Sequence, residues 1–374
     1  MFLLVRVFAR ALLQGRANRV PKVVFRIIIV PTGKLGDVVC TTPVLMAIRT
    51  YLPKAHLIVG GNSKLHKAVL SNSGLVDEYL ELEDNQNVIN KIRKCHADVA
   101  LVTGPSYELA APLYVAGIPL LIAPIVCGGF SPQETRPYKL LERLVKTFPY
   151  CIGEYAPRER LKALGPLGIT SIDTKKYLGF SENAGEKIAN SLIESGIDIN
   201  KDFVVGVSPS AGHKIKDWPE ERFAEVVDYL IKVYRAKIIM IGGPKDKETI
   251  KKTMSLLRSE MKILETTDFD IDELKALIAK LHLLIAIDTG PIYIAEAFDI
   301  PTIDIIGPID EKEQPPRGPL NRNVLPPERK RPELFVLNAR SYNRKEAIRQ
   351  VRSITVSLVI NEIDLLISDI KKQQ

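Results

Sequence analysis

Two passages of this chain share an arrangement that few folds accommodate. Phe25 to Val39 reads F-R-I-I-I-V-P-T-G-K-L-G-D-V-V, and Leu283 to Ala297 reads L-L-I-A-I-D-T-G-P-I-Y-I-A-E-A. In each, a short β-rich run ends in Gly with Asp or Thr, and an apolar run of helical period follows at once. Such a turn leaves the first backbone N–H groups of the helix without intrahelical acceptors, aimed at whatever lies above the strand. Two turns of this kind in one chain imply one ligand held between two domains.

The rest of the chain agrees with that division. Short β-rich runs at Ile27–Val30, Leu57–Gly60, Val99–Thr103 and Leu120–Ala123 alternate with helical patterns, and Val204–Ser208, Lys237–Ile241, Leu283–Ile287 and Thr302–Ile305 repeat the rhythm. Strands apolar on both faces and separated by helices predict parallel sheets, hence two doubly wound α/β domains. A length of 374 residues suits two cores better than one. The expected order is an N-terminal basic helix (1–22), a first Rossmann-like domain (23–165), a linker region (166–200), a second Rossmann-like domain (201–350) and a closing helix that packs back on the body (351–374). Within the linker, G-P-L-G-I-T-S-I-D precedes a polar helix near Ser181 to Ser195. The proline-rich stretch Gly307 to Leu337 reads as irregular.

The net charge of +8 resembles a nucleic-acid signal only until it is placed along the chain. Arg6, Arg10, Arg16, Arg19, Lys22 and Arg26 precede any acidic residue; they supply +6, leaving +2 (46 basic minus 44 acidic) for everything after them. No nucleic-acid partner is expected. Met1 to Gln14 is apolar except for Arg6, Arg10 and Gln14, which recur every four residues as one polar stripe. Such a helix either lies on an anionic membrane surface or docks on the protein's own body. Its apolar run falls short of the ~20 residues a span needs, and no small-residue cleavage site follows it. The four cysteines, Cys40, Cys95, Cys127 and Cys151, show no C-x-x-C spacing. Neither a zinc site nor a disulfide framework is expected, and a reducing compartment is the simpler reading.

Three segments, taken in order, resemble glycosyltransferase family 9, the heptosyltransferases that build the inner core of bacterial lipopolysaccharide. They are G-K-L-G-D-V-V-C-T-T-P followed by A-I-R-T-Y-L-P-K-A, then P-S-A-G-H-K-I-K-D-W-P-E-E-R-F, then D-T-G-P-I-Y-I-A-E-A-F-D-I-P-T-I-D-I-I-G-P. The resemblance covers nearly everything from Arg26 to Leu366 and implies a GT-B fold, two Rossmann-like domains facing a central cleft. It implies an inverting transferase that moves a sugar, with heptose from ADP-heptose the best match, to a lipopolysaccharide core or related lipid-linked glycan. It also implies a cytoplasmic enzyme held peripherally at the inner face of the cytoplasmic membrane, with the nucleotide-sugar as substrate and no metal or other cofactor.

Residue by residue, Asp37 follows a Gly at the first turn of a helix. Alone it reads as a capping carboxylate; the resemblance makes it the general base that takes the acceptor's hydroxyl proton. Ser210, Ala211 and Gly212 sit just past a strand and let backbone N–H groups approach a diphosphate. Lys216 resembles the family lysine that pairs with donor phosphates. Asp288, Thr289 and Gly290 open a helix whose first amides and dipole suit a pyrophosphate leaving group. Where the family carries a histidine three residues after Gly290, this chain has Tyr293, which donates one hydrogen bond but carries no charge near neutral pH. Asp246 is the candidate for the nucleotide ribose. On the acceptor side Lys34, Gly36, Thr41, Arg136 and Lys139 are expected. The Asp268-x-Asp270 pair reads as helix-capping rather than metal-binding. Two other classes share the architecture: a GT-B sugar-nucleotide epimerase, and a nucleotide-sugar binding module without catalysis, which Tyr293 motivates.

Overall fold

A computed structural model describes residues 2–82, 87–259, 261, 263–338 and 340–373. The chain divides into two compact units. One comprises Met1–Tyr177 with Val336–Arg340, the other Leu178–Phe335 with Ser341–Gln374. The division falls inside the stretch read as linker, and the polar helix there, Glu182–Glu194 with Ser181 as its N-cap, belongs to the second unit.

The first unit is built on β1 (Arg26–Val30), β2 (His56–Gly61), β3 (Glu78–Glu81), β4 (Val99–Val102), β5 (Leu120–Cys127) and β6 (Lys146–Cys151), ordered β3-β2-β1-β4-β5-β6. The second is built on β7 (Val204–Ser208), β8 (Lys237–Met240), β9 (Leu264–Glu265), β10 (Leu283–Ile287), β11 (Thr302–Ile305) and β12 (Asn321–Val324). Its order is β12-β11-β10-β7-β8-β9, the same winding read from the other edge. All pairings are parallel. Each sheet therefore has the doubly wound order, with its winding reversing between β1 and β4 in one and between β7 and β10 in the other.

The central strands are buried along almost their whole length: Ile27 to Val30, Val99 to Val102, Val204 to Ser208 and Leu283 to Ile287. They are the runs that the sequence displays most plainly. The edge strands β3, β6, β9 and β12 are only partly buried and carry Glu, Lys, Pro or Asn, so no continuous apolar run marks them. β12 lies inside the proline-rich stretch read as irregular.

Cys127 and Cys151, the paired last residues of β5 and β6, are joined in a disulfide with their Cα atoms 4.4 Å apart. This corrects the expectation that no disulfide forms. The two lie 24 residues apart in sequence, and only the parallel register sets them side by side. Cys40 and Cys95 are buried thiols.

The second core is closed by the C-terminal helix Val356–Gln373, whose Val359, Ile363 and Leu366 are fully buried. Trp218 secures the approach to it. Its indole N–H donates to Ile354 O at 2.9 Å, its ring stands edge-on to Phe223, and it is 1% exposed. Trp218→Ala should therefore cost about 3–5 kcal/mol, read as a lowered denaturant midpoint, whereas Trp218→Phe should keep most of the packing.

Candidate active site

In the first unit the site grows from the end of β1. Gly33 has φ +109°, and a Cβ there would stand 2.1 Å from Asp37 Oδ2. Only glycine leaves room for the Asp37 side chain to fold back across the turn. Asp37 is in the first turn of the helix Leu35–Val39, and its Oδ2 accepts the Lys34 backbone N–H at 3.0 Å. The capping role is thus present.

The other oxygen is engaged by a residue the sequence reading did not single out. Arg160, on the helix Ala156–Leu161, donates from Nη2 to Asp37 Oδ1 at 2.8 Å and from Nη1 to Asp37 O at 2.7 Å. The Thr41 hydroxyl also donates to Asp37 O, at 2.8 Å. Burial works against the charge of Arg160, but Tyr150 and Asp37 outweigh it and shift its pKa upward, so it remains a cation. Arg160 is 1% exposed, while the Asp37 side chain keeps 22% of its surface open. An arginine 123 residues downstream of its partner leaves no local signal in the sequence. Thr32 N–H donates to the Thr103 hydroxyl at 3.0 Å, tying the β1 and β4 ends together at the reversal of the winding.

Lys34, Gly36 and Thr41 share the Asp37 turn or the residues just after it. Arg136 and Lys139 are exposed on the helix Arg136–Glu142 and lie outside the Asp37–Arg160 cluster.

In the second unit the corresponding reversal lies between β7 and β10, and a lysine bridges it. Lys216, in the short 3-10 turn Lys214–Lys216 after β7, donates to Asp288 O at 2.6 Å and to Asp288 Oδ2 at 2.7 Å. Asp288 directly follows β10. Its other carboxylate oxygen accepts the hydroxyl of Tyr293, which is 4% exposed. Tyr293 therefore orients Asp288 from within the unit.

The helix Gly290–Ala297 begins beside this pair with Thr289 as N-cap. Pro291 has no N–H and Ile292 N–H is taken up by Thr289 O, so the amides left at the helix mouth are those of Thr289 and Gly290. Ser210 is buried just past β7, and Ala211 N–H donates to Asp217 Oδ1 at 3.3 Å. Gly212 is exposed in the same loop. Asp246 folds onto its own turn after β8, accepting Gly243 N–H at 2.8 Å. Asp270 caps the helix Ile271–Ile278 by accepting Glu273 N–H at 2.8 Å.

A second residue missed by sequence reasoning is the carboxyl Asp304, which pairs in register with Ala286 and is wholly buried. Neither of its oxygens has a hydrogen-bond partner among the described residues. Burial pushes its pKa well above the usual carboxylate range; Asp288 adds to that shift and Lys216 opposes it.

A protein-family model described as glycosyltransferase family 9 (heptosyltransferase) matches residues 87–339. That segment holds Arg160, Lys216, Asp288 and Asp304, while Asp37 precedes it. Lipopolysaccharide heptosyltransferase 3 of Escherichia coli (strain K12) is 23% identical over 282 residues, 74% of this chain and 80% of that protein. Among solved structures, the glycosyltransferase family 9 protein of Veillonella parvula superposes with a TM-score of 0.75 at 20% identity, covering 93% of this chain and 99% of that one. The ADP-heptose lipopolysaccharide heptosyltransferase II of E. coli superposes with a TM-score of 0.70 at 16% identity, covering 94% and 100%. These structures share the α/β GT-B fold of this chain.

Two outcomes are expected from the buried groups. Arg160→Gln removes charge-assisted hydrogen bonds to Asp37 and should lower unfolding stability by at least about 1.5 kcal/mol in denaturant titrations. For Asp304, the folded chain holds a proton that the unfolded chain has released above its ordinary value of 3.8. The native state therefore binds more protons, and this group's contribution to stability falls as pH rises above that value. Asp304→Asn should be at least as stable as the parent at neutral pH, with its advantage shrinking as the pH is lowered toward the ordinary carboxylate value.

Proposed function

This chain belongs to glycosyltransferase family 9, the heptosyltransferases, and we propose that it transfers heptose from ADP-heptose to the core of lipopolysaccharide with inversion at the anomeric carbon. The observation that carries this reading is the placement of the two charge clusters. Each sits at the C-terminal ends of parallel strands, at the strand where the winding reverses, where doubly wound sheets bind ligands.

Asp37 is the general base. Its oxygens are held by the Lys34 amide and by Arg160, and the side chain keeps 22% of its surface open toward an acceptor's hydroxyl. A positioned carboxylate suits a reaction at an anomeric centre, where the attacking hydroxyl becomes acidic only as its oxygen bonds to carbon. The acceptor oxygen attacks from the face opposite the diphosphate, the bond from the anomeric carbon to the phosphate oxygen breaks, and the proton passes to Asp37. Lys216 and the Thr289 and Gly290 amides meet the charge growing on the departing diphosphate. The loop Ser210, Ala211 and Gly212 lies against the phosphates, and Asp246 reaches the ribose by leaving its own turn. Lys34, Gly36, Thr41, Arg136 and Lys139 serve the acceptor side.

The donor and the lipid-linked core acceptor are the partners in this reading, and neither a metal nor another cofactor takes part. In this reading the enzyme works in the cytoplasm, held peripherally at the inner face of the membrane. No helix among the described residues is long and apolar enough to cross a membrane.

Calorimetric titration with ADP, UDP, GDP and dTDP tests the donor. ADP should bind selectively, and Lys216→Ala should weaken it roughly tenfold or more. Asp37→Asn should retain ADP binding while lowering turnover by about 10²–10⁴-fold; an active Asp37→Asn enzyme would remove the proposed base. Selective binding of another nucleotide would change the sugar, and release of rearranged sugar without acceptor would point to an epimerase.

A further inference from the structure

The N-terminal helix Phe2–Gln14 is sewn to the first unit, yet it keeps an apolar face in water. Val7 is buried, and Leu3 and Leu4 pack against the first core. Arg10 turns inward, its guanidinium 4.2 Å from the centre of the Tyr114 ring and its Nη2 donating to Ile118 O at 3.3 Å. The Tyr114 hydroxyl donates to Gly15 O at 2.6 Å, and the strap that follows is tied down through Ala17 N–H to Leu144 O and Leu121 N–H to Ala17 O. The polar stripe seen in the sequence is thus split, with Arg10 facing the protein instead of the headgroups.

What faces outward is apolar. Leu12 is 87% exposed, Leu13 84%, Val5 61% and Phe8 49%, and on the strap Val23 and Phe25 are exposed as well. Val5, Phe8 and Leu12 follow the spacing of a single helical face. Isolated exposed apolar residues are ordinary, but a contiguous set on one docked segment marks an interaction surface. Arg6, Arg16, Arg19 and Lys22 are exposed on the same segment, and no acidic residue occurs before Asp37. Asp98, which accepts the Phe25 N–H at 2.7 Å, is a carboxylate at the strap's far end, but the segment's own charges are all cationic. An apolar face on a cationic segment is complementary to an anionic lipid surface, into which the side chains insert while the cations meet headgroups.

We propose that Val5, Phe8, Leu12 and Leu13 form a rigid docking face for an anionic bilayer. The helix is held flat on the protein rather than uncoiled from it. The lipid-linked acceptor of the preceding reading gives the face its purpose, but the geometry stands apart from it.

The test is flotation of the full chain with phosphatidylglycerol-containing vesicles and with phosphatidylcholine vesicles. Leu12→Glu/Leu13→Glu and Arg16→Gln/Arg19→Gln variants are run alongside, with circular dichroism and ADP titration on each. The intact chain should float with the anionic vesicles only. The glutamate pair should lower the bound fraction roughly tenfold or more, and added salt or the glutamine pair should weaken binding by a smaller factor. Equal flotation of the folded glutamate variant, or no flotation of the intact chain, would overturn the proposal. Self-association that the glutamate pair abolishes, without vesicle binding, would assign the face to a second copy. Anionic flotation by a chain that binds no ADP would leave the docking face standing and remove the ADP-heptose reading instead.

Discussion

Every strand in both sheets runs parallel to its neighbours, and the rest of the structure depends on that constraint. A parallel pair cannot be closed by a tight turn, so each strand must be followed by a crossover, and the C-terminal ends of all strands collect at one edge of the sheet. Asp37, Ser210, Lys216, Asp246 and Asp288 all stand in the first residues after strands of this kind. They come from segments far apart in sequence and share only that position. The disulfide between Cys127 and Cys151 follows from the same register, since parallel pairing of β5 and β6 sets their last residues opposite each other.

The two charged clusters are built differently. Around Asp37, a fully buried arginine from another helix holds a carboxylate that is still partly open, so the anion is fixed in direction and available at its edge. Around Lys216 the cation is the group at the edge, tethered by Asp288, which is in turn oriented by Tyr293. Asp304 lies beneath as a buried carboxyl whose pKa burial pushes well above the usual carboxylate range. An ionised Asp304 would add a negative charge beside Asp288 and offset Lys216, weakening any attraction for phosphate, and its burial opposes that.

Legibility in the sequence tracked burial. The four inner strands of each sheet read as apolar runs because both of their faces are covered. The outer strands are covered on fewer sides, accept Glu, Lys and Asn, and lose the pattern. The N-terminal helix shows the converse. Its period was plain, but Arg10 found a partner in Tyr114 more than a hundred residues away, and this turned part of the polar stripe inward.

The sequence by itself determined what depends on neighbours along the chain. That covers the alternation of strands and helices, the glycine turns ahead of Asp37 and after Asp288, the capping by Asp270, and the concentration of positive charge before Asp37. The resemblance to glycosyltransferase family 9 was likewise written in contiguous motifs. Tertiary packing set which distant groups meet: Arg160 with Asp37, Lys216 with Asp288, Cys127 with Cys151, and the burial of Asp304 with no hydrogen-bond partner among the described residues. Local propensity acts over a few residues, whereas these contacts join segments whose separation is closed by strand pairing and helix packing. Their identity therefore enters with the fold.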